Sequence, residues 1–256
     1  MSTATIAHTT DRSGDDRPAF LHAAALAAAG GSRLVTVHGN APPDVAAALP
    51  DATPLAQAWG HPIVHERRCH ECCDDVTDTV LDALAAIAPA LVVTGTHARH
   101  GVSAWVRGSI GWALARNLMV PTLVVPNHGR GFVDERTGAL TLARVVAVID
   151  GRTASGDAAA VAHAIAVLGA GPPVAATIVA VEGPAAALAW PGATSVATTA
   201  HDVEATLKRV FAEVQPTLVV LPHRLHGGHG PLLGSRAESV SHHAGCPVLV
   251  VPIVES

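Results

Sequence analysis

The chain has no tyrosine, three phenylalanines and one lysine, Lys208, in 256 residues. With so few aromatics, buried cores must be assembled from Val, Leu, Ile and Ala, which suits strands buried on both faces and Ala-rich helices packed close to them. The shortage of lysine, scattered arginines and a formal net charge of -5 argue against a surface that tracks phosphates along DNA or RNA. No apolar run reaches the roughly 18 residues needed to span a bilayer. The first residues, MSTATIAHTTDRSGDD, lack a basic segment followed by an apolar one and so do not read as a signal peptide. The expected location is the cytoplasm, with no membrane partner, where Cys69, Cys72, Cys73 and Cys246 are reduced thiols or metal ligands rather than disulfides. Catalytic signatures are missing too. There is no Walker A sequence, no GxSxG elbow, no HExxH and no GxGxxG after a strand, and Ser155 to Asp157 lacks the rest of a pyrophosphatase-type loop. The chain is expected not to be an enzyme.

What is present is a pattern stated twice. Val92 to Pro126 reads as strand, glycine-bearing loop, helix and closing strand, and Val219 to Pro252 repeats that order. Gly234 and Ser235 follow Gly108 and Ser109 by 126 residues, and the closing strands PTLVVP and PVLVVP keep the same spacing. That period is too long for a solenoid and about the size of a small domain, so two copies of one fold stand in tandem. Their boundaries are 1–128 and 142–256, joined by a Gly- and charge-rich linker at 129–141.

In the first copy, strands are expected at Ala4 to Thr10, Leu34 to Val37, Ile63 to Arg68, and ahead of the loop near Val92. Helices are expected from Pro18 to Gly30, from Asp44 to Leu49, and across Asp74 to Ile87, where Val76, Val80, Leu84 and Ile87 recur at helical spacing. The second copy starts over with strands at Val145 to Ile149, Val174 to Val181, Ser195 to Thr199 and Leu218 to Leu221, and helices at Asp157 to Leu168 and Val203 to Val214. Alternating strands and helices of these lengths imply an α/β class with right-handed crossovers and five-stranded, doubly wound parallel sheets. Ligands of such sheets sit at the carboxyl ends of strands, where Asp11, Asp150 and both glycine loops fall. Gly108 and Ser109 open a helix through Ile110 whose free amides attract anions.

At these residues the sequence resembles the universal stress protein family in its tandem form, an adenine-nucleotide α-hydrolase-like fold. The family's nucleotide-binding members carry Gly, two residues, a second Gly, nine residues, then Gly followed by Ser or Thr. The first copy gives Gly95, Thr96, His97 and Ala98, then nine residues to Gly108 and Ser109, with Ala98 on the second glycine position. The resemblance further implies a nucleotide contact at Asp11 and an apolar residue beside the adenine at Val37 or a neighbour. In the second copy Asp150 matches the first-strand Asp, while counting back from Gly234 puts Leu221 and Arg224 on the glycine positions and registering on the strand puts Pro222 on the first. A methyl at position 98 costs about 1 kcal/mol or more if the backbone there is left-handed or pressed against a phosphate, roughly a tenfold loss of affinity. The resemblance thus implies a stress-response regulatory or protective protein that binds ATP in its first domain, with a degenerate loop in the second. It also implies that the closing strands pair the domains as a pseudo-dimer, with a homodimer of tandem chains as a further partner. The alternative is an interaction or scaffold protein that binds no nucleotide. Slow ATP hydrolysis is a third reading.

A second cluster lies outside that pattern. His65, Cys69, Cys72 and Cys73 combine a CxxC spacing with a nearby histidine, a candidate set for zinc, and a following helix N-terminus would activate Cys72 and Cys73. The alternatives are a thiol switch or unliganded thiols. The histidines at 223, 226, 229, 242 and 243 read as solvated surface groups, and Cys246 as a packing residue.

Overall fold

A computed structural model describes residues 4–72, 74–96, 110–152, 154–169, 175–183, 192–224 and 243–253. The chain divides into two compact units, Met1–Asn127 with Val133–Leu140, and His128–Phe132 with Thr141–Ser256.

Unit 1 runs β1 (Thr5–Thr9), a 3-10 turn (Gly14–Asp16), α1 (Arg17–Gly30), β2 (Arg33–His38), a 3-10 turn (Pro43–Ala48), α2 (Thr53–Trp59), β3 (His65–Cys69), α3 (Val76–Ile87), β4 (Leu91–Thr96), α4 (Ile110–Asn117) and β5 (Thr122–Pro126). Its strands are all parallel in the order β3-β2-β1-β4-β5. The reason follows from the sequence. Strands β1, β2 and β4 are buried along most of their length, and Leu34, Val35, Leu91, Val92 and Val93 wholly so, as sheets covered on both faces require. Alternation along β1 sends Ala7 to one face, with Val80, Leu84 and Leu114 of α3 and α4, and His8 to the other, against Phe20 of α1. Pro18 starts α1 and Gly31 ends it in the left-handed conformation, its N–H bonded to the carbonyls of Ala27 and Ala28. Asp75 caps α3 by accepting from the backbone N–H groups of Thr77 and Asp78.

Two expectations change in this unit. The helix expected from Asp44 to Leu49 is a 3-10 turn, because Pro42, Pro43 and Pro50 bracket a stretch too short for a stable α-helix. The α-helix forms one step later, at Thr53–Trp59, with Pro54 in its first turn and Gly60 left-handed at its end.

Unit 2 runs β6 (Arg144–Asp150), α5 (Ala154–Val167), β7 (Ala175–Val181), β8 (Thr194–Thr198), α6 (Val203–Val214), β9 (Leu218–Arg224) and β10 (Val248–Ile253). Its strands are parallel in the order β10-β9-β6-β7-β8, the same winding as unit 1. Among the described residues no helix is long and apolar enough to cross a membrane.

The stretch expected to be a linker is built into both units. In unit 1, Val133 bridges Leu140, the Trp59 Nε1–H donates to the Glu135 carbonyl at 3.0 Å, Arg17 pairs with Glu135, and Gly138 lies flat on the Trp59 indole at φ 70°. In unit 2, Arg130 donates from Nε to the Pro216 carbonyl at 3.2 Å and from Nη2 to that of Ala244 at 3.0 Å.

Candidate functional site

In unit 1 the chain leaves β1 for β2 on one side and later sets β4 on the other, so the sheet's switch point lies between the carboxyl ends of β1 and β4. Open α/β sheets take ligands in the crevice there. The crevice floor is polar and closed. Thr9 Oγ1 donates to Thr94 Oγ1 at 2.9 Å, and Thr10 Oγ1 donates to the carboxylate of Asp16, which is buried at the start of α1. Thr10 Oγ1 also accepts from the Arg12 N–H at 2.9 Å, in a turn that puts Arg12 at φ 66°. His38, at the end of β2, donates from Nδ1 to the Thr10 carbonyl at 2.8 Å.

The expected ligand residues fall around this floor. Asp11 is exposed at its rim, its Oδ1 accepting from the Ser13 N–H at 2.8 Å. Gly95 sits at the end of β4, and a side chain there would meet Asp16 and Ala19 at 3.6 to 3.8 Å, ordinary contact distances. Ile110 opens α4 and is 42% exposed. Val37 does not offer its side chain to a base: it is buried with Val35, Ala83 and Ile87 beneath α3, while its carbonyl accepts from the Thr10 N–H. His97, Ala98, Gly108 and Ser109 lie outside the described residues, as do Gly234, Ser235 and Cys73.

Gly111 is the residue that sequence reasoning missed. A Cβ there would lie 2.8 Å from the Gly95 carbonyl oxygen and 3.1 Å from both branches of Thr94. Only glycine lets α4 come down onto β4, and this contact brings the start of α4 to the switch point. Its signal was available in the GlySerIleGly run, three residues past Gly108. Thr10 and Asp16 were missed for a different reason, since nothing in spacing marks a buried hydroxyl and carboxylate as partners.

The same end of unit 2 is differently furnished. Gly95 pairs with Val125 and Pro222 with Val251, so the sheet register sets Pro222 where unit 1 has Gly95 and decides against the Leu221 alternative. Asp150 is buried and already engaged: Arg152 donates to it from Nε at 3.0 Å, from Nη2 at 2.7 Å and from its backbone N–H at 2.9 Å. Asp157 Oδ2 accepts from the Asp150 N–H at 2.9 Å. Gly151 and Gly183 press backbone to backbone, with room for a Cβ on neither.

Two copies of one winding, each with an acidic residue at or just past the end of its first strand, match what the sequence of a known family specifies. The model of the universal stress protein family matches residues 4–126 and 174–252. The chain belongs to the universal stress protein family. It is therefore a stress-response protein. The second match begins at residue 174 and leaves out β6 and α5, although the structure builds them in the expected order. Solved structures share the fold. A protein of unknown function from Pseudomonas aeruginosa is 16% identical over 98% of this chain and 93% of its own, with a TM-score of 0.71. A universal stress protein from Archaeoglobus fulgidus is 15% identical over 98% and 97%, with a TM-score of 0.69. No curated protein matches the sequence.

In this universal stress protein the candidate metal set does not assemble as expected. His65 and Cys69 are four residues apart along β3, about 13 Å, whereas two ligands of one zinc lie within about 4 Å of each other. Both ring nitrogens of His65 are hydrogen-bonded, Nδ1 to the Ala52 N–H and Nε2 to Thr36 Oγ1. Cys69 is buried beside Ala41 and Leu49, and that burial pushes its thiol up, away from activation. Cys72 precedes α3 by several residues, and the α3 amides belong to Asp75. Among the described residues no three His, Cys, Asp or Glu side chains gather as a metal site. Cys246 is buried, its thiol pushed up to about 12 by desolvation, in keeping with a packing role.

Proposed function

We propose that this universal stress protein is a nucleotide-responsive regulatory or protective protein that takes ATP at the switch point of unit 1 and not in unit 2. The observation that carries the reading is the contact of Gly111 with Gly95, which holds the start of α4 beside the carboxyl ends of β1 and β4. Helix amides so placed favour phosphate, and Asp11 at the rim is within the same crevice for a sugar hydroxyl. In unit 2, Pro222, the Asp150–Arg152 pair and the Gly151–Gly183 contact favour an occupied, closed counterpart. Those features also support a second reading, an interaction protein whose loops are structural.

Titration calorimetry with magnesium ATP separates the two. One saturable site per chain, lost in Gly108→Arg and tightened about tenfold in Ala98→Gly, is expected from the first. No heat at millimolar ATP would leave the interaction reading. Hydrolysis is absent from this proposal; phosphate release that disappears in Asp11→Ala would add it.

A further inference from the structure

On the α1 side of unit 1 three strands insert polar side chains into an apolar layer: His8 from β1, Thr36 from β2 and His65 from β3. Phe20 of α1 covers them, its ring 5.3 Å from that of His8 and 5.8 Å from that of His65. His8 and Thr36 are wholly buried, and the His65 side chain is 6% exposed. Chemistry fixes the direction of each bond. The Ala52 N–H donates to His65 Nδ1 at 3.2 Å, so the neutral ring carries its hydrogen on Nε2 and donates to Thr36 Oγ1 at 2.9 Å. The Thr36 hydroxyl keeps its own proton for His8 Nδ1, at 3.5 Å. That leaves the hydrogen of His8 on Nε2, which is buried and has no hydrogen-bond partner among the described residues.

Among the described residues both ring lone pairs of the ladder are already engaged, that of His65 by the Ala52 N–H and that of His8 by the Thr36 hydroxyl. The charged group bearing on His8 is His65, which would repel; those bearing on His65 are Arg67, which repels, and Asp51, whose Oδ1 lies 4.0 Å from Nδ1. Phe20, from α1, is neutral. Asp51 Oδ1 also accepts from the N–H and Oγ1 of Thr53, at the first turn of α2. We propose that the ladder is an acid switch: a proton taken up on His65 Nδ1 expels the Ala52 N–H, turns the ring toward Asp51, and releases the segment that begins α2. Release at Ala52 loosens α2 up to Trp59 and, through the Trp59 contacts, the 133–140 segment of the same unit.

Burial lowers His65 from 6.5 to about 4 and His8 to about 3. The closed form therefore binds protons less readily than an open one, keeps its full stability above about pH 6.5, and loses it as the pH falls toward 4. Strand β6 and its neighbour β7 carry no histidine, so β6 serves as an internal control.

Hydrogen exchange of the whole chain, corrected for the intrinsic effect of pH, tests this on peptides spanning 49–59 and β6. Between pH 7.5 and 5.0 the opening of 49–59 is expected to rise about thirtyfold if His65 alone is freed, and about a thousandfold if His8 joins it. The β6 peptide should not change, and His65→Gln should cut the rise about thirtyfold, abolishing it where His65 alone is freed. Unchanged protection of 49–59, an equal rise in β6, or a rise that His65→Gln leaves undiminished would overturn the switch. Should His65→Gln not fold, imidazole resonances of the parent chain decide: His65 neutral at pH 5 supports the proposal, and titration near 6.5 in the native state refutes it.

Discussion

Replacing Gly111 by alanine should destabilise the meeting of α4 and β4, whereas the same change at Gly95, its contact partner, should not. A new methyl at position 111 would stand 2.8 Å from a backbone oxygen, and 3.1 Å from a Thr94 side chain that is itself pinned by the Thr9 hydroxyl at 2.9 Å. Neither neighbour is the free end of a flexible chain. Overpacking of this kind costs about 1–3 kcal/mol, and pinned neighbours place it in the upper half of that range. Against it stands the helix propensity of alanine over glycine, about 1 kcal/mol in favour. The net loss is about 1–2 kcal/mol, equivalent to a five- to thirtyfold rise in local opening. At Gly95 the methyl meets Asp16 and Ala19 at 3.6 Å or more, and removing a strand glycine recovers up to about 1 kcal/mol, so opening should hold or fall. Hydrogen exchange on peptides from 91–96 and 110–117 reads both variants in one experiment. A Gly111→Ala protein as well protected as its parent would show that propensity outweighs the clash, and the argument that glycine is required to dock α4 would fail. Loss of magnesium ATP binding in Gly111→Ala, with Gly95→Ala still binding, would tie that docking to the proposed site.

Three further outcomes are expected. Iodoacetamide at pH 8 should modify Cys72, which is half-buried, and spare Cys246 until urea is added, since burial holds the Cys246 thiol at about 12; peptide mass mapping reports both. Asp75→Ala should cost about 1 kcal/mol by uncapping α3, seen as faster exchange across Val76–Ile87 with β6 unaffected. Gly138→Ala should cost about 1 kcal/mol or more from its left-handed backbone alone and drive a methyl into the Trp59 ring, so the emission assigned to Trp59 by comparison with Trp59→Phe should move to the red.

The sequence was most legible where one physical signal dominated. Strand-type runs set between turn residues marked nine of the ten strands within about two residues, and β3, half-buried and carrying HERRC, was the weakest of them, as its composition implied. The helix at Thr53–Trp59 was obscured because prolines read as breaks, although Pro54 in a first turn starts a helix. In the site, Asp11, Gly95 and Asp150 were recognised by position, but what they touch was not readable: the sequence did not show that Arg152 claims Asp150, nor that Val37 faces α3. His65 drew a metal interpretation because soft ligands sat near it in sequence. Strand geometry sends it instead toward Thr36 and His8, a relation between three strands that no local spacing encodes.

The interleaved junction bears on how such a chain can be divided. Residues 133–140 complete the first unit over Trp59, while 128–132, lying before them, belong to the second through Arg130. A fragment ending at 127 would bare an indole and leave Arg17 without its glutamate; one beginning at 141 would strip the carbonyls of Pro216 and Ala244 of their guanidinium. Each half needs amino acids that a single cut awards to the other, so two genes excised from this one would have to overlap, sharing residues 128–140.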